Sequence, residues 1–180
     1  MNDVFIERMV KKKFEGMDAV IMILILLGGI VLMFVGIILM AITGLPMIPL
    51  LVLVGVCFGG YKLITMRNLE FEYSLTNGYV SVDKIMNRSA RKRLTAFECK
   101  EVEDIGEYAK NQERLKNREV QTRIFATAFG AKGENSWYVI VNAKKTGRTL
   151  LVFDPDEDLL NAVKKFIPAH LRFEVFGRGK

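Results

Sequence analysis

The 180-residue sequence contains one histidine, His170, and two cysteines, Cys57 and Cys99. One histidine and no cysteine cluster leave no residue spacing for a structural zinc site or a histidine-dependent catalytic dyad. Cys57 lies in an apolar stretch and Cys99 in a polar one, so a disulfide framework is excluded as well. Charge is also missing where a soluble protein would need it: residues 19–61 form a run of 43 without Asp, Glu, Lys or Arg. Of these, 33 are apolar, and the rest are seven Gly, two Pro and Thr43. A run of that length has no use in a soluble core and points to a lipid bilayer.

A helix needs about 20 apolar residues to cross the bilayer core, so the run suits two crossings. Thr43-Gly44-Leu45-Pro46 marks the break. Gly44 fits the left-handed end of a first helix, and Pro46 and Pro49 fit the first turn of a second. The expected spans are residues 19–42 and 46–66, within a hairpin covering 19–66. Residues 1–18 form a cytoplasmic flank that helps set topology, in which Phe5, Met9 and Lys12–Lys13 of residues 3–14 suit a short interfacial helix. The first span is too long for a secretory signal, and no A-x-A site follows it. Arg8, Lys11, Lys12 and Lys13 precede the hairpin; Lys62, Arg67, Arg88, Arg91, Lys92 and Arg93 follow it. The turn has no basic residue, which places both termini in the cytoplasm of a two-span, multi-pass membrane protein. Gly55 and Gly59 form a G-x-x-x-G pair, read as packing between the two hairpin helices, with dimerisation as the alternative.

From residue 69 the hydrophobic period falls to two. Phe71, Tyr73 and Leu75 alternate with Glu70, Glu72 and Ser74, and Asn77-Gly78 is a hairpin signal leading to Tyr79, Val80 and Val82. Further strands are expected at 91–97, 100–108, 120–129, 137–141 and 149–153, with a surface loop or short helix at 110–119. One C-terminal helix is expected, with Asp154 as N-cap, Pro155 at its first position and Pro168 as its stop. A short strand through Leu171, Phe173 and Val175 would follow. The fold class is therefore an α+β membrane protein: a helical hairpin, then a β-barrel or meander over residues 68–180.

A meander capped by one amphipathic helix resembles a pleckstrin-homology-like (PH-like) split barrel. The segment Phe71-Glu-Tyr-Ser-Leu-Thr-Asn-Gly-Tyr-Val-Ser-Val is similar to the first hairpin of bacterial PH-like domains. The start, Met1-Asn-Asp-Val-Phe-Ile-Glu, and the layout resemble a small uncharacterised two-helix membrane-protein family of clostridia and related Firmicutes. That resemblance implies a fold and carries over no catalytic or binding residue.

Arg88, Arg91, Lys92 and Arg93 place four cations in six residues beside the membrane segment. They suit contact with anionic lipid headgroups or, alternatively, an ordinary wet strand face. Asp154, Asp156, Glu157 and Asp158 suit a helix first turn, and their spacing does not match a calcium loop. Gly130-Ala-Lys-Gly-Glu-Asn reads as a turn, and Phe125, Phe129, Trp137 and Tyr138 as core. Residues 68–180 carry 20 cations and 16 anions, a balance too even for nucleic acid in the absence of a reading motif. The expected function is a membrane-anchored interaction module for a protein partner, or else for anionic lipid; no enzyme activity and no cofactor or metal are expected.

Overall fold

The computed structural model describes residues 4–133 and 135–177. They divide into two compact units: residues 14–68, and residues 4–13 together with 69–177.

The first unit is a pair of helices, α1 (Gly16–Thr43) and α2 (Met47–Thr65). Gly44 ends α1 at φ 70°, and its N–H returns to the Met40 carbonyl at 2.8 Å, the left-handed cap the sequence implies. The helices approach through Gly29 and Gly36, where an added Cβ would lie 2.9 Å from Val56 and 3.2 Å from Val52. A Cβ at Gly55 or Gly59 meets nothing within 4 Å, so the expected packing of the hairpin through those glycines does not occur. Asp18, buried in the first turn of α1, pairs with Arg67 just beyond α2 and so ties the open ends of the hairpin together.

The second unit begins with a strand where a helical flank was expected. β1 (Phe5–Lys11) lies antiparallel to β2 (Leu69–Thr76), with Ile6 opposite Leu75 and Val10 opposite Phe71. Alternation explains the correction. Val4, Ile6 and Val10 pack on the core, whereas Phe5 and Met9 point away from it. The domain is therefore not residues 68–180 alone; α1 and α2 are inserted between its first two strands. β3 (Tyr79–Met86) follows through Asn77 and Gly78, both at positive φ, as a two-residue hairpin turn of type I′ requires. β4 (Ala90–Glu98) completes a sheet of order β1-β2-β3-β4.

The second sheet has the order β5-β7-β8-β6: β5 (Val102–Glu107), β6 (Thr122–Ala126), β7 (Trp137–Ala143) and β8 (Gly147–Phe153). β6 runs parallel to β8, so this sheet is not the simple meander that hairpin signals suggested. The helix α3 (Tyr108–Lys116) occupies the stretch read as a loop or short helix. Tyr138, Ile140, Leu150 and Val152 gather with Tyr108 and Leu115 of α3, while Val139, Val141, Leu151 and Phe153 face the main core. Burial on both faces is why β7 and β8 read as unbroken apolar runs.

Two helices close the chain where one was expected: α4 (Glu157–Phe166) and α5 (Ala169–Phe176). The cap of α4 is Asp156, whose Oδ1 accepts the Leu159 N–H at 2.9 Å. Asp154 is not free for that role, because its carboxylate accepts from the Ala128 N–H at 2.7 Å and the Ser136 hydroxyl at 2.6 Å. Leu159, Val163 and Ile167 are buried in the main core, and each such side chain contributes about 1.5–3 kcal/mol. The expected strand after Pro168 is helical because Leu171 and Val175, four apart, turn inward while Phe173 stays exposed. Phe176 stacks on Trp137 at 5.4 Å, and Phe129 is exposed rather than core.

Because Lys12 N–H reaches the Leu69 carbonyl at 2.9 Å, the two ends of the insertion leave the sheet side by side. A chain with residues 14–68 replaced by a four-residue Gly/Ser turn should fold as a soluble domain with a cooperative thermal transition. Residues 68–180 alone, lacking β1, should melt at lower temperature and bind a hydrophobic dye. Equal stability of the two would contradict the role of β1.

Candidate functional site

Residues opposite one another in an antiparallel pair share a face. On the first sheet the face turned away from the core is therefore built in rows. Phe5, Thr76, Tyr79 and Glu98 form one, and Glu7, Ser74, Ser81 and Ala96 the next. Met9, Glu72, Asp83 and Arg93 follow, then Lys11, Glu70, Ile85 and Arg91.

A β-bulge decides which basic residues join this face. Val82 pairs with Thr95, yet Asp83 pairs with Arg93, so β4 carries one extra residue there. Thr95 is fully buried against Thr146, Oγ1 to Oγ1 at 3.2 Å, and Leu94 packs on the core. Without the bulge Lys92 and Leu94 would face outward; with it, Arg91 and Arg93 do. The sequence-predicted cluster is thus divided. Arg91 and Arg93 lie on the outer face, Lys92 lies opposite Lys84 on the other, and Arg88 sits in the β3–β4 turn at φ 54°.

The arginines rest on carboxylates that alternation alone would leave in water. Arg93 grips Asp83 with two hydrogen bonds, Nε to Oδ1 at 2.9 Å and Nη2 to Oδ2 at 3.1 Å. Arg91 donates to Glu72 and lies 4.0 Å from Asp83. Glu70 Oε1 lies 3.5 Å from Arg88 Nε and 3.7 Å from Lys11 Nζ. The side chains of Glu70, Glu72 and Asp83 are only 4–7% exposed, whereas half or more of each basic partner is exposed. Each carboxylate is covered by the cation it holds. With Glu7 and Glu98, five anions stand against Lys11, Arg88, Arg91 and Arg93, so this face presents the hydrogen-bonded guanidinium groups of Arg91 and Arg93 with no excess of positive charge.

Exposed apolar groups share the face: Phe5 and Met9 from β1, and Tyr79 from β3. Helical spacing over residues 3–14 does not place Phe5 and Met9 on this face; the strand β1 does. The signal was present, since apolar Val4, Ile6 and Val10 recur at even spacing. The carboxylates Glu72 and Asp83 carry no local signal, because the bulge brings their arginines to them, and Glu70 carries none because Lys11 reaches it from β1 across the inserted helices. Elsewhere, His170 is exposed on α5, and burial pushes the Cys99 thiol up to about 12, so it is a core side chain. Among the described residues no three His, Cys, Asp or Glu side chains gather as a metal site.

Asp83 and Glu72 respond to pH in opposite senses. The hydrogen bonds from Arg93 hold the Asp83 carboxyl below its ordinary range despite burial. It therefore stabilises the fold above its unfolded pKa, and that stability is lost as pH falls through the lower folded value. Burial raises the Glu72 carboxyl, against the attraction of Arg91, so its ionisation opposes folding at neutral pH. Asp83→Asn should cost about 1–3 kcal/mol at pH 7 and flatten the acid limb of a stability–pH curve. Glu72→Gln should be neutral or stabilising at pH 7, and urea melts from pH 3 to 8 check both; equal losses for the two would contradict this assignment.

A family model described as a bacterial PH-like domain (DUF6106) matches residues 2–173, almost the whole chain. No curated protein and no solved structure shows a significant match. The match begins before β1 and ends within α5, so the family's sequence pattern includes both strands that flank the inserted helices. The chain belongs to this family of bacterial PH-like domains.

Proposed function

We propose that the protein is a membrane-anchored docking module, in which α1 and α2 cross the bilayer as a hairpin and the outer face of the first sheet binds a protein at the cytoplasmic side. The helices have 28 and 19 residues, and 18-residue stretches within them have mean hydropathies of 3.1 and 2.0, long and apolar enough to cross a membrane. Basic residues flank the pair and none lies in its turn, which favours cytoplasmic termini.

The observation that carries the docking reading is the composition of the outer face. Exposed Phe, Met and Tyr stand beside arginines already fixed by carboxylates. These residue types are enriched at protein interfaces, and pre-ordered side chains lose little entropy on binding. The balanced charge gives this face little attraction for an anionic surface.

One observation favours a second reading, contact with anionic lipid. Met86 lies opposite Leu69, so the β3–β4 turn with Arg88, and Lys84 and Lys92 beside it, is level with the point where the chain arrives from α2. Cations near a headgroup surface contribute about 1 kcal/mol each.

A photo-crosslinking residue at Met9 or Tyr79 in cells should trap a discrete protein adduct, whereas one at Lys165, exposed on α4, should not. Adducts at all three positions, or at Lys165 alone, would count against the outer face. For topology, a reporter active only outside the cytoplasm should be silent when fused after Lys180; an active reporter would overturn the orientation and the cytoplasmic partner with it.

A further inference from the structure

We infer that the free edge of β4 takes up an acidic, extended segment of a protein partner by strand addition. This rests on the docking reading and adds the chemistry of what is docked. β4 ends its sheet: β3 pairs with one side, and among the described residues no strand pairs with the other. Its first four residues, Ala90 to Arg93, are exposed. A strand of unpaired backbone groups binds another extended chain through main-chain hydrogen bonds, with side chains supplying the selectivity.

Lys92 sets that selectivity. Arg91 and Arg93, on the outer face, already hold Glu72 and Asp83, whereas Lys92 stands on the other face with no carboxylate paired to it among the described residues. Lys92 also stands directly opposite Lys84. Like charges in facing cross-strand positions repel, and neither lysine has an ion-pair partner among the described residues. The cations of the outer face are balanced by carboxylates; this pair is not. A carboxylate on the adjoining strand would relieve it.

Further along, the edge borders a groove of about 230 Å³ whose lining includes Tyr79, Arg93, Lys144 and Lys145 together with Glu98 and Glu101. Lys144 and Lys145 belong to the β7–β8 turn, and the Thr95–Thr146 contact closes the gap behind them. An acidic segment running along Ala90–Arg93 therefore meets two more lysines across the groove. A second copy of this edge would bring Arg91, Lys92 and Arg93 against themselves, so like charge excludes self-pairing and leaves an acidic strand as the complementary occupant.

The test uses the full chain in phosphatidylcholine nanodiscs and a fluorescein-labelled decapeptide of alternating Glu and Thr, read by anisotropy. The decapeptide should bind, and the same length of alternating Lys and Thr should not. Methylating alternate backbone nitrogens should weaken binding about tenfold or more, because strand addition needs those N–H groups. Lys92→Glu combined with Lys144→Glu should weaken it similarly; both positions are solvent-exposed, and an unchanged circular dichroism spectrum shows that the fold is intact. Absence of Glu/Thr binding, equal binding of the methylated or Lys/Thr peptide, or full binding by the double variant would overturn the proposal. Displacement of the peptide by vesicles containing phosphatidylserine would reassign the edge to lipid and overturn it too. If the peptide fails while crosslinks from Met9 and Tyr79 persist, only the edge proposal falls; if those crosslinks vanish while the peptide binds, the outer-face reading falls instead.

Discussion

The antiparallel pairing of β1 with β2 is the constraint on which the other features depend. It joins residues 5–11 to residues 70–76 across an intervening pair of apolar helices, with Lys12 and Leu69 hydrogen-bonded where the insertion begins and ends. Closing so long a loop costs conformational entropy that grows only slowly with length, and the helical pair shortens the effective loop by bringing its own ends together. The Asp18–Arg67 ion pair helps there, fixing the start of α1 to the end of α2. Two chain ends that leave one sheet side by side are the natural attachment for a helical hairpin, so insertion and hairpin geometry are mutually consistent.

The same pairing determines what the outer face can be. Phe5, Met9 and Lys11 come from β1, the carboxylates Glu70 and Glu72 from β2, Asp83 and Tyr79 from β3, and Arg91 and Arg93 from the part of β4 that precedes the bulge. Burying three carboxylates under solvent-exposed cations is costly in isolation. Hydrogen bonds from Arg91 and Arg93 offset that cost at Glu72 and Asp83 and fix those guanidiniums, whereas Glu70 Oε1 is buried with only the charges of Arg88 and Lys11 nearby. The result is a surface whose charges are ordered before any partner arrives.

Much of the architecture was legible in the residues. The 43-residue uncharged run, the Gly44 break, the Asn77-Gly78 hairpin and most strand positions follow from period and turn chemistry. Failures came where tertiary contacts override local signals. Asp154 looked like a cap, but Ala128 and Ser136 hold its carboxylate, so the helix starts later on Asp156. Leu171, Phe173 and Val175 fit a strand until Phe173 proved to be the exposed member of a helix. The basic cluster was found as a cluster, but its division between two faces depends on a single-residue bulge that no local pattern announces. β1 was missed because its partner strand lies beyond the helices, and period-two alternation over seven residues competes poorly with a neighbouring membrane-like run.

The most direct test of the account is therefore a crosslink across the β1–β2 pair. Glu7 and Ser74 face each other on the outer surface, and facing Cα atoms about 4.5–5.5 Å apart lie within the range a disulfide accepts. With exposed Cys57 replaced by Ser, the pair Glu7→Cys and Ser74→Cys should form an intramolecular disulfide under mild oxidation of the intact protein. Glu7→Cys with Ser89→Cys, placed in the β3–β4 turn, should not. Failure of the first pair to crosslink, or equal crosslinking of both, would contradict a domain closed across the inserted helices and the composite face built upon it.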